Sequence, residues 1–332
     1  MKDVNENKKG PLVSVGVPCY NHEKYLDDFF SSLLDQSYEN IELIIIDDYS
    51  TDGSCDKINS YLSILRDRNI RVDFHKHNRN MGISRTCNDI IRRCNGKYIK
   101  MFSSDDVMLP ECISEFTDYM EKNPEANILI GNLSVVNNDY TYGSPYEAIR
   151  NMDIDHIKNI RNIHEELFNS CFINSPGMFV REGLFEKYNY YDEELGFEDW
   201  DFLIRVSKNE KIHFIDEILL LYRKSATSIS NYMIADKSIE KEKKFARMYL
   251  GTRDLFRKHR GELPEDKWKE CFGKRYTIFL NDADKLNLKK YIDIIFRDMK
   301  KDGIDIYSFR QKQAYWIKNH FPNLFKVIKK IT

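Results

Sequence analysis

The sequence predicts an α/β protein in which a mostly parallel sheet is flanked by helices and followed by a helical appendage. Between residues 12 and 121, short apolar runs alternate with segments of helical spacing, which is the order of elements in a doubly wound sheet. The run Ile41–Ile46 is almost entirely apolar, as expected of a strand covered on both faces. From about residue 231 onward the periodicity is helical, without further strand-like runs.

Each predicted strand is a short apolar or β-branched run bounded by turn-forming or charged residues. The predicted strands are Leu12–Val17, Ile41–Ile46, Ile70–Phe74, Tyr98–Phe102, Ile128–Val136 and Ile218–Tyr222. Each predicted helix has apolar residues three or four positions apart. The predicted helices are Glu23–Asp35, one that starts near Cys55, Ile83–Cys94, Pro110–Glu121, one that starts at Glu198, Glu240–Lys258, Pro264–Leu280, Leu288–Lys301 and Ser308–Lys330.

The change in periodicity also predicts the domain organisation. Residues 1–10 form a polar N-terminal tail, residues 11–230 form the α/β domain, and residues 231–332 form a helical C-terminal region. Residues 139–170 show mixed helical spacing with many polar side chains.

Composition narrows the class of protein. Hydrophobic residues make up 42% and charged residues 31% of 332 residues, which is typical of a globular protein. The net charge of -2 gives no general attraction to nucleic acid, so we expect no nucleic-acid partner. No apolar run approaches the roughly 20 residues that cross a bilayer, and the polar first residues lack the apolar core of a signal peptide. Seven scattered cysteines favour reduced thiols, and we predict a cytoplasmic location.

Acidic pairs follow two of the predicted strands. Asp47 and Asp48 come directly after the second strand, and Asp105 and Asp106 follow the fourth. In sheets of this kind, ligands bind beyond the carboxyl ends of the strands. Adjacent carboxylates repel each other unless a positive charge lies nearby, and hard oxygen ligands suit Mg²⁺ or Mn²⁺. The pattern favours a divalent cation that carries a diphosphate; the alternative for Asp105 and Asp106 is a polar turn that caps the next helix.

The common glycine-rich phosphate loops are absent. The first strand-to-helix turn, PCYNHEKYL, contains no glycine, so the dinucleotide fingerprint G-x-G-x-x-G is missing, and no G-x-x-x-x-G-K-[ST] motif occurs. We therefore expect the phosphates to be held through a metal ion.

Five segments resemble one known family. VSVGVPCYNHEKYL, IELIIIDDYSTDGS, NMGISRTCNDIIRRCNGKYI and SSDDVMLPE, in this order, resemble family 2 glycosyltransferases of the GT-A fold. NSPGMFVREGLFEKYNYYDEELGFEDWDFLIRVSK resembles the segment of that family that binds the acceptor. The resemblance implies a nucleotide-diphosphate-sugar half at residues 11–137 and an acceptor half at residues 138–230.

The resemblance also implies roles for individual residues. Those assigned to the nucleotide sugar are Pro18, Tyr20, Asn21, Asp47, Asp48, Gly82, Arg85, Ser104 and Asp106. Asp105 is the implied metal ligand, with Mn²⁺ or Mg²⁺ as the cofactor. The sequence departs from the family pattern at Ser103, where the first aspartate of D-x-D is usual, and at Ser225, where many relatives carry a histidine. Arg223 or Lys224 is a candidate to neutralise phosphate charge in place of that histidine.

Glu198 and Asp199 open a predicted helix after a polar loop. Carboxylates in the first turn of a helix are favoured by its dipole, which is sufficient to explain them. The resemblance implies instead that Asp199 is the general base and that Glu198 binds acceptor hydroxyls. Trp200 is predicted to lie in the core, with a sugar contact as the alternative.

The predicted activity is transfer of a sugar from a nucleotide-diphosphate donor, UDP-linked, with inversion at the anomeric carbon. The implied acceptor is a saccharide or polyprenyl-linked saccharide of bacterial surface glycan synthesis. A basic, aromatic segment at 305–332 predicts peripheral contact with the inner face of the membrane, or else a terminal helix packed on the protein. Two alternatives stay open: a nucleotidyltransferase that makes sugar nucleotides, and a non-catalytic protein that binds sugar nucleotides or glycans.

Overall fold

A computed structural model describes residues 10–146, 150–151, 153–173, 175–224 and 238–305. The chain divides into two compact units, Met1–Ser228 and Ile229–Thr332. Ser225, the predicted helix Ser308–Lys330, the basic segment from 306 onward and all but the last residue of the predicted tail lie outside the described residues. The predicted halves of the α/β domain stay predictions.

The first unit contains one mixed sheet with helices beside it. Its strands are β1 Val13–Cys19, β2 Ile41–Asp47, β3 Arg71–Lys76, β4 Tyr98–Met101, β5 Val107–Met108, β6 Ile128–Asn137, β7 Arg150–Asn151, β8 Met178–Arg181 and β9 Ile212–Lys224. Its helices are α1 Leu26–Leu34, α2 Ser54–Asp67, α3 Ile83–Ile91, α4 Cys112–Lys122, α5 Ile154–Lys158, α6 Ile163–Asn169, α7 Leu184–Lys187 and α8 Glu198–Ser207. The predicted α/β fold class is confirmed.

The sheet has a parallel half and a mixed half. The strand order is β3-β2-β1-β4-β8-β6-β9-β5, with β7 paired to β6. Strands β3, β2, β1 and β4 are mutually parallel, as the strand–helix alternation predicts. Strand β8 then runs antiparallel to both β4 and β6. The predicted strands do not include β5, β7 and β8, because segments of two, two and four residues show no periodicity of their own.

The core lies between the sheet and its flanking helices. Every residue of β2 is buried, which is the burial expected for a nearly unbroken apolar strand. Phe29 and Phe30 of α1 and Phe116 of α4 are fully buried on this core. Burial of an aromatic side chain of this size stabilises the fold by roughly 1.5–3 kcal/mol.

Two element boundaries differ from the prediction for local reasons. A short 3-10 turn at Glu23–Tyr25 precedes α1, so the predicted helix from Glu23 to Asp35 is tighter in its first turn. Strand β9 has 13 residues and starts at Ile212. The predicted strand covered only its later part, Ile218–Tyr222. The first part of β9 carries charged residues, and it forms a strand because it pairs along β6.

The second unit contains helices in its described residues: α9 Ser238–Lys258, α10 Glu265–Lys285 and α11 Lys289–Asp302. Two buried aspartates of α11, Asp298 and Asp302, receive hydrogen bonds from Arg257 of α9 at 2.9 and 3.0 Å. A buried carboxylate is tolerated only when it is paired in this way. In the described ranges, no helix combines the length and apolarity needed to span a bilayer.

Candidate active site

Strand register brings the predicted ligand-binding residues to one edge of the sheet. Cys19 of β1 pairs with Asp47 of β2, and Gly16 of β1 pairs with Met101 of β4. Ser104, three residues beyond Met101, is therefore level with Cys19. The loops after β1, β2 and β4 meet at this edge, which is where parallel sheets bind ligands.

The loop after β1 exposes an aromatic ring. Tyr20 is 45% exposed at the end of the strand, beyond half-buried Pro18. Asn21 has a positive φ of 54°, and its backbone N–H donates to Ser50 Oγ at 2.9 Å. Its side-chain oxygen accepts from the N–H of Thr51 at 2.8 Å, so this residue joins the first two loops. The fixed loop and exposed ring suit a stacking contact with a planar base.

Asp47 and Asp48 both form hydrogen bonds within the loops. Asp47 is fully buried, and its Oδ1 accepts from the N–H of Ser50 at 2.9 Å. Asp48 accepts from the N–H of Met81 at 2.7 Å and from the N–H of Gly82 at 2.9 Å. We propose that Asp48 holds the loop before α3 in place; the contacts of both aspartates with base or ribose stay predictions.

That loop carries two of the predicted nucleotide residues. Gly82, the residue before α3, has φ 86° and ψ 161°, a conformation that favours glycine over all other residues. One turn further, Arg85 is exposed. Among the residues the structure describes, its guanidinium has neither a hydrogen bond nor an ion pair. A free cation at the start of a helix suits a phosphate ligand.

Asp105 lies in a polar loop just beyond β4. Its side chain is 17% exposed, and its Oδ1 accepts a hydrogen bond from the Ser103 hydroxyl. Its Oδ2 lies 3.9 Å from Nε2 of His22 in the first loop. Ser104 is fully buried between these loops. The Ser103 hydroxyl therefore orients the Asp105 carboxylate by a hydrogen bond. It does not supply the negative charge of the aspartate that is usual at position 103.

Asp106 lies beneath the same loop. It is 2% exposed, and its Oδ1 accepts from the backbone N–H of Arg223 at 2.8 Å. Burial, followed by the charge of Asp105, raises the pKa of Asp106 well above its usual range. We propose that Asp106 supports the loop, in place of the predicted contact with nucleotide sugar.

The guanidinium of Arg223 is buried and forms hydrogen bonds within the protein. It is 2% exposed and donates to the Asp105 carbonyl at 2.9 Å, to the Tyr140 carbonyl and to Asp28 Oδ2 at 2.8 Å. These hydrogen bonds hold the Arg223 guanidinium inside the protein, and neutralisation of phosphate charge by Arg223 or Lys224 stays a prediction. Lys224 is exposed.

Asp199 is placed in the first turn of α8. It is half-buried, and its Oδ1 accepts from the N–H of Trp200 at 2.7 Å. Burial raises the pKa of Asp199, although that hydrogen bond opposes the shift. Trp200 is 5% exposed and donates from its indole to the Leu167 carbonyl at 2.7 Å, which confirms its predicted place in the core. Glu198 beside them is half-buried.

Acids from different parts of the chain lie near one buried thiol. Burial raises the pKa of Cys87, in α3, well above its usual range, and the charges of Glu198, Asp199 and Asp48 raise it further. Cys87 of α3 is therefore near acids both of the loop after β2 and of the first turn of α8. The structure brings the predicted donor and acceptor acids to the same region.

Comparison with known proteins identifies the family. Residues 14–189, more than half of the chain, match the family described as Glycosyl transferase family 2. The chain belongs to this family. It is also 36% identical over 110 residues to the "Putative teichuronic acid biosynthesis glycosyltransferase TuaG" of Bacillus subtilis, which covers 33% of this chain and 42% of that protein.

Two solved structures have a similar fold. "S. aureus TarS 1-349 in complex with UDP-GlcNAc" has a TM-score of 0.55 at 19% identity. The superposition covers 92% of this chain and 91% of the TarS chain. "Mannosyltransferase PcManGT from Pyrobaculum calidifontis in complex with GDP-Man and Mn2+" has a TM-score of 0.55 at 13% identity, with 94% and 88% covered. At these identities the likeness shows the fold, which is the GT-A fold of glycosyltransferases. The predicted family is confirmed.

The side chains near Asp105 fit a divalent cation in this glycosyltransferase. A carboxylate oxygen and an imidazole nitrogen face each other there, and both are ordinary ligands of Mn²⁺. No group of three or more His, Cys, Asp or Glu side chains with metal-binding geometry occurs in the described residues. Any cation at this site would therefore need ligands from the diphosphate and water, as is usual for Mg²⁺ and Mn²⁺ in nucleotide enzymes.

Asn88 of α3 connects this helix to the loop before α8. It is 1% exposed, donates to the Tyr191 carbonyl at 2.9 Å and to Glu193 Oε1 at 3.0 Å, and accepts from the N–H of Tyr191 at 3.0 Å. Arg205 of α8 donates to the carbonyls of Tyr188 and Tyr190 in the same loop. The loop that precedes Asp199 is thus held from two helices, α3 and α8.

We expect Asn88→Ala to destabilise the enzyme by about 1–3 kcal/mol, because both backbone groups of Tyr191 would lose their buried partner. The Michaelis constant for the acceptor should rise several-fold, since the loop before Asp199 loses its brace. Thermal unfolding and steady-state kinetics measure the two effects. Asn59→Ala, on the exposed face of α2, is the control. An unchanged acceptor constant would show that this brace does not affect the acceptor side.

Sequence reasoning overlooked His22 and His77. His77 Nδ1 lies 2.8 Å from Asp48 Oδ1, and its Nε2 lies 3.4 Å from Asp89. His22 directly follows Asn21 in the turn after β1. The signal available for both was a histidine within three residues of a strand end, on the ligand side of the sheet.

Proposed function

We propose that this protein is an inverting glycosyltransferase that moves a sugar from a UDP-linked donor to a hydroxyl of a saccharide or polyprenyl-linked saccharide. The observation that carries the proposal is the position of Asp199: a half-buried carboxylate with a raised pKa that lies near Cys87 of α3, as Asp48 does. A base of this kind and a nucleotide-binding edge are the two parts that such a transfer requires.

Asp199 would act as the general base. It takes the proton of the acceptor hydroxyl while the oxygen attacks the anomeric carbon from the side opposite the diphosphate. The bond from the anomeric carbon to the diphosphate oxygen breaks, the nucleoside diphosphate leaves, and the anomeric centre is inverted. One carboxylate suffices, because no covalent sugar–enzyme intermediate forms. Glu198 would bind another acceptor hydroxyl.

Asp105 would hold a Mn²⁺ or Mg²⁺ ion together with the donor diphosphate. A cation bound there offsets the negative charge that develops on the departing phosphate. Tyr20 would stack on the base, and exposed Arg85 would bind the diphosphate. The arrangement of the loops supports these roles because their side chains share one edge of the sheet.

The biological setting belongs to the same proposal. Similarity to a protein named for teichuronic acid biosynthesis supports a role in bacterial surface glycan synthesis. We infer a cytoplasmic enzyme that works at the inner face of the membrane. Membrane contact through the basic segment near the C-terminus is part of the proposal; that segment lies outside the described residues.

A donor screen tests the function. The purified protein is incubated with UDP- and GDP-sugars, with and without Mn²⁺, in the presence of saccharide and polyprenyl-linked acceptors, and release of UDP or GDP is measured. We expect UDP release that depends on acceptor and is stimulated by Mn²⁺. Release of pyrophosphate from UTP and a sugar phosphate would instead identify a nucleotidyltransferase. Donor binding without UDP release across the acceptor panel would identify a binding protein.

A further inference from the structure

The ring of His22 is oriented by a chain of hydrogen bonds. Ser104 Oγ lies 3.2 Å from the Pro18 carbonyl and 2.8 Å from His22 Nδ1. A carbonyl oxygen only accepts, so the hydrogen bond to Pro18 uses the single hydrogen of the Ser104 hydroxyl. With that bond in place, the Ser104 oxygen accepts from His22 Nδ1–H, and the lone pair of the neutral ring lies on Nε2.

The other ring nitrogen faces Asp105. In this tautomer Nε2 carries a lone pair, and it lies 3.9 Å from Asp105 Oδ2. The second carboxylate oxygen already accepts from Ser103. A cation bound between these two atoms would be attracted to both of them. The backbone of His22 is also fixed, since its N–H donates to Ser54 Oγ at 3.0 Å.

We propose that His22 is a second protein ligand of the divalent cation at Asp105. The inference rests on the proposed function, which places a cation there. Nε2 of His22 and a carboxylate oxygen of Asp105 would bind the ion on one side, and the donor diphosphate and water on the other. Ser104 is then a positioning residue that orients the imidazole, in the manner of the outer hydrogen bonds of other metal sites.

A nitrogen ligand also sets the choice of metal. Imidazole binds Mn²⁺ in preference to Mg²⁺, which favours oxygen ligands. The site should therefore bind Mn²⁺ more tightly than Mg²⁺, and this preference should decrease when His22 is replaced by an oxygen ligand.

The test measures Mn²⁺ binding in the presence of UDP. The electron paramagnetic resonance signal of free Mn²⁺ reports how much of the metal remains unbound. We expect His22→Ala to weaken Mn²⁺ binding about tenfold or more, and Ser104→Ala to weaken it to a smaller extent. His22→Asp should retain Mn²⁺ binding and reduce the preference for Mn²⁺ over Mg²⁺. Exposed His156 provides the control, and His156→Ala should bind as the wild type does. Thermal unfolding of each variant establishes that it is folded.

A spectroscopic measurement identifies the ligand atom itself. Electron spin-echo spectra of bound Mn²⁺ should show coupling to a ¹⁴N nucleus in the wild type and lose it in His22→Ala. Mn²⁺ affinity and nitrogen coupling that are both unchanged in His22→Ala would overturn the assignment. If the wild type transfers sugar but does not bind Mn²⁺ with UDP, the ligand proposal fails while the proposed function stands. If the wild type binds Mn²⁺ with nitrogen coupling but transfers no sugar, the proposed function fails while the assignment of His22 as a ligand stands.

Discussion

Asp199→Asn is expected to reduce sugar transfer by at least about a hundredfold, with donor affinity unchanged, because general base catalysis contributes roughly 10²–10⁴ to a rate. The amide has the shape of the carboxylate and keeps the acceptor oxygen for the N–H of Trp200, so the first turn of α8 should retain its structure. An amide cannot take the proton of the attacking hydroxyl. Turnover is measured by UDP release, and donor affinity by calorimetry with the UDP-sugar.

Two further variants separate base catalysis from other effects. Glu198→Gln should raise the Michaelis constant for the acceptor more than it lowers turnover, because this residue is proposed to bind a hydroxyl without taking its proton. Glu194→Gln, exposed in the preceding loop, serves as the matched control and should leave both constants unchanged. Near-normal turnover in Asp199→Asn would show that the base has been assigned to the wrong residue.

The pH profile gives an independent readout of the same residue. Burial raises the pKa of Asp199, so this carboxyl is protonated at a pH where an exposed aspartate is still ionised. Only the ionised form accepts a proton. Turnover of the wild type should therefore fall as the pH decreases through this raised pKa, and the acid limb should lie above the ordinary aspartate value of about 3.9. The small residual activity of Asp199→Asn should lack that limb.

The parallel half of the sheet could be predicted because its information is local. Strands β1, β2 and β4 are short apolar runs, β3 alternates apolar with polar residues, and the acidic pairs at or beyond the ends of β2 and β4 are adjacent in the sequence. Parallel order then places those acids at one edge without further information. The antiparallel pairing of β8 between β4 and β6 depends on contacts across the chain, and its four residues carry no periodic signal of their own.

The support of the loops could not be read from the sequence, since it depends on distant partners. Lys100 lies inside an apolar strand and is fully buried; its ammonium donates to the Met178 carbonyl at 3.1 Å, and burial lowers its pKa to about 8. Arg223 reaches Asp28 across 195 positions, and Asn88 reaches Tyr191 across 103. No local pattern distinguishes these side chains from solvent-exposed ones.

Asp105→Ala is expected to lower turnover by about a thousandfold and to weaken donor binding in the presence of Mn²⁺ about tenfold, since metal stabilisation of a leaving group contributes several kcal/mol. Neighbouring Asp106 cannot replace it. That carboxyl is 2% exposed, and its Oδ1 already accepts from the backbone N–H of Arg223 at 2.8 Å. UDP release and calorimetric titration of the donor, each with and without Mn²⁺, measure the two losses.

The dependence on Mn²⁺ separates this prediction from a general loss of structure. In Asp105→Ala, donor binding should no longer respond to Mn²⁺, whereas in the control Asp56→Ala, on the exposed face of α2, the response should be that of the wild type. A misfolded variant would instead lose donor binding in both conditions and unfold at a lower temperature. If Asp105→Ala binds donor as tightly as the wild type and still responds to Mn²⁺, the cation is held elsewhere, because removal of its proposed carboxylate ligand would then have had no effect.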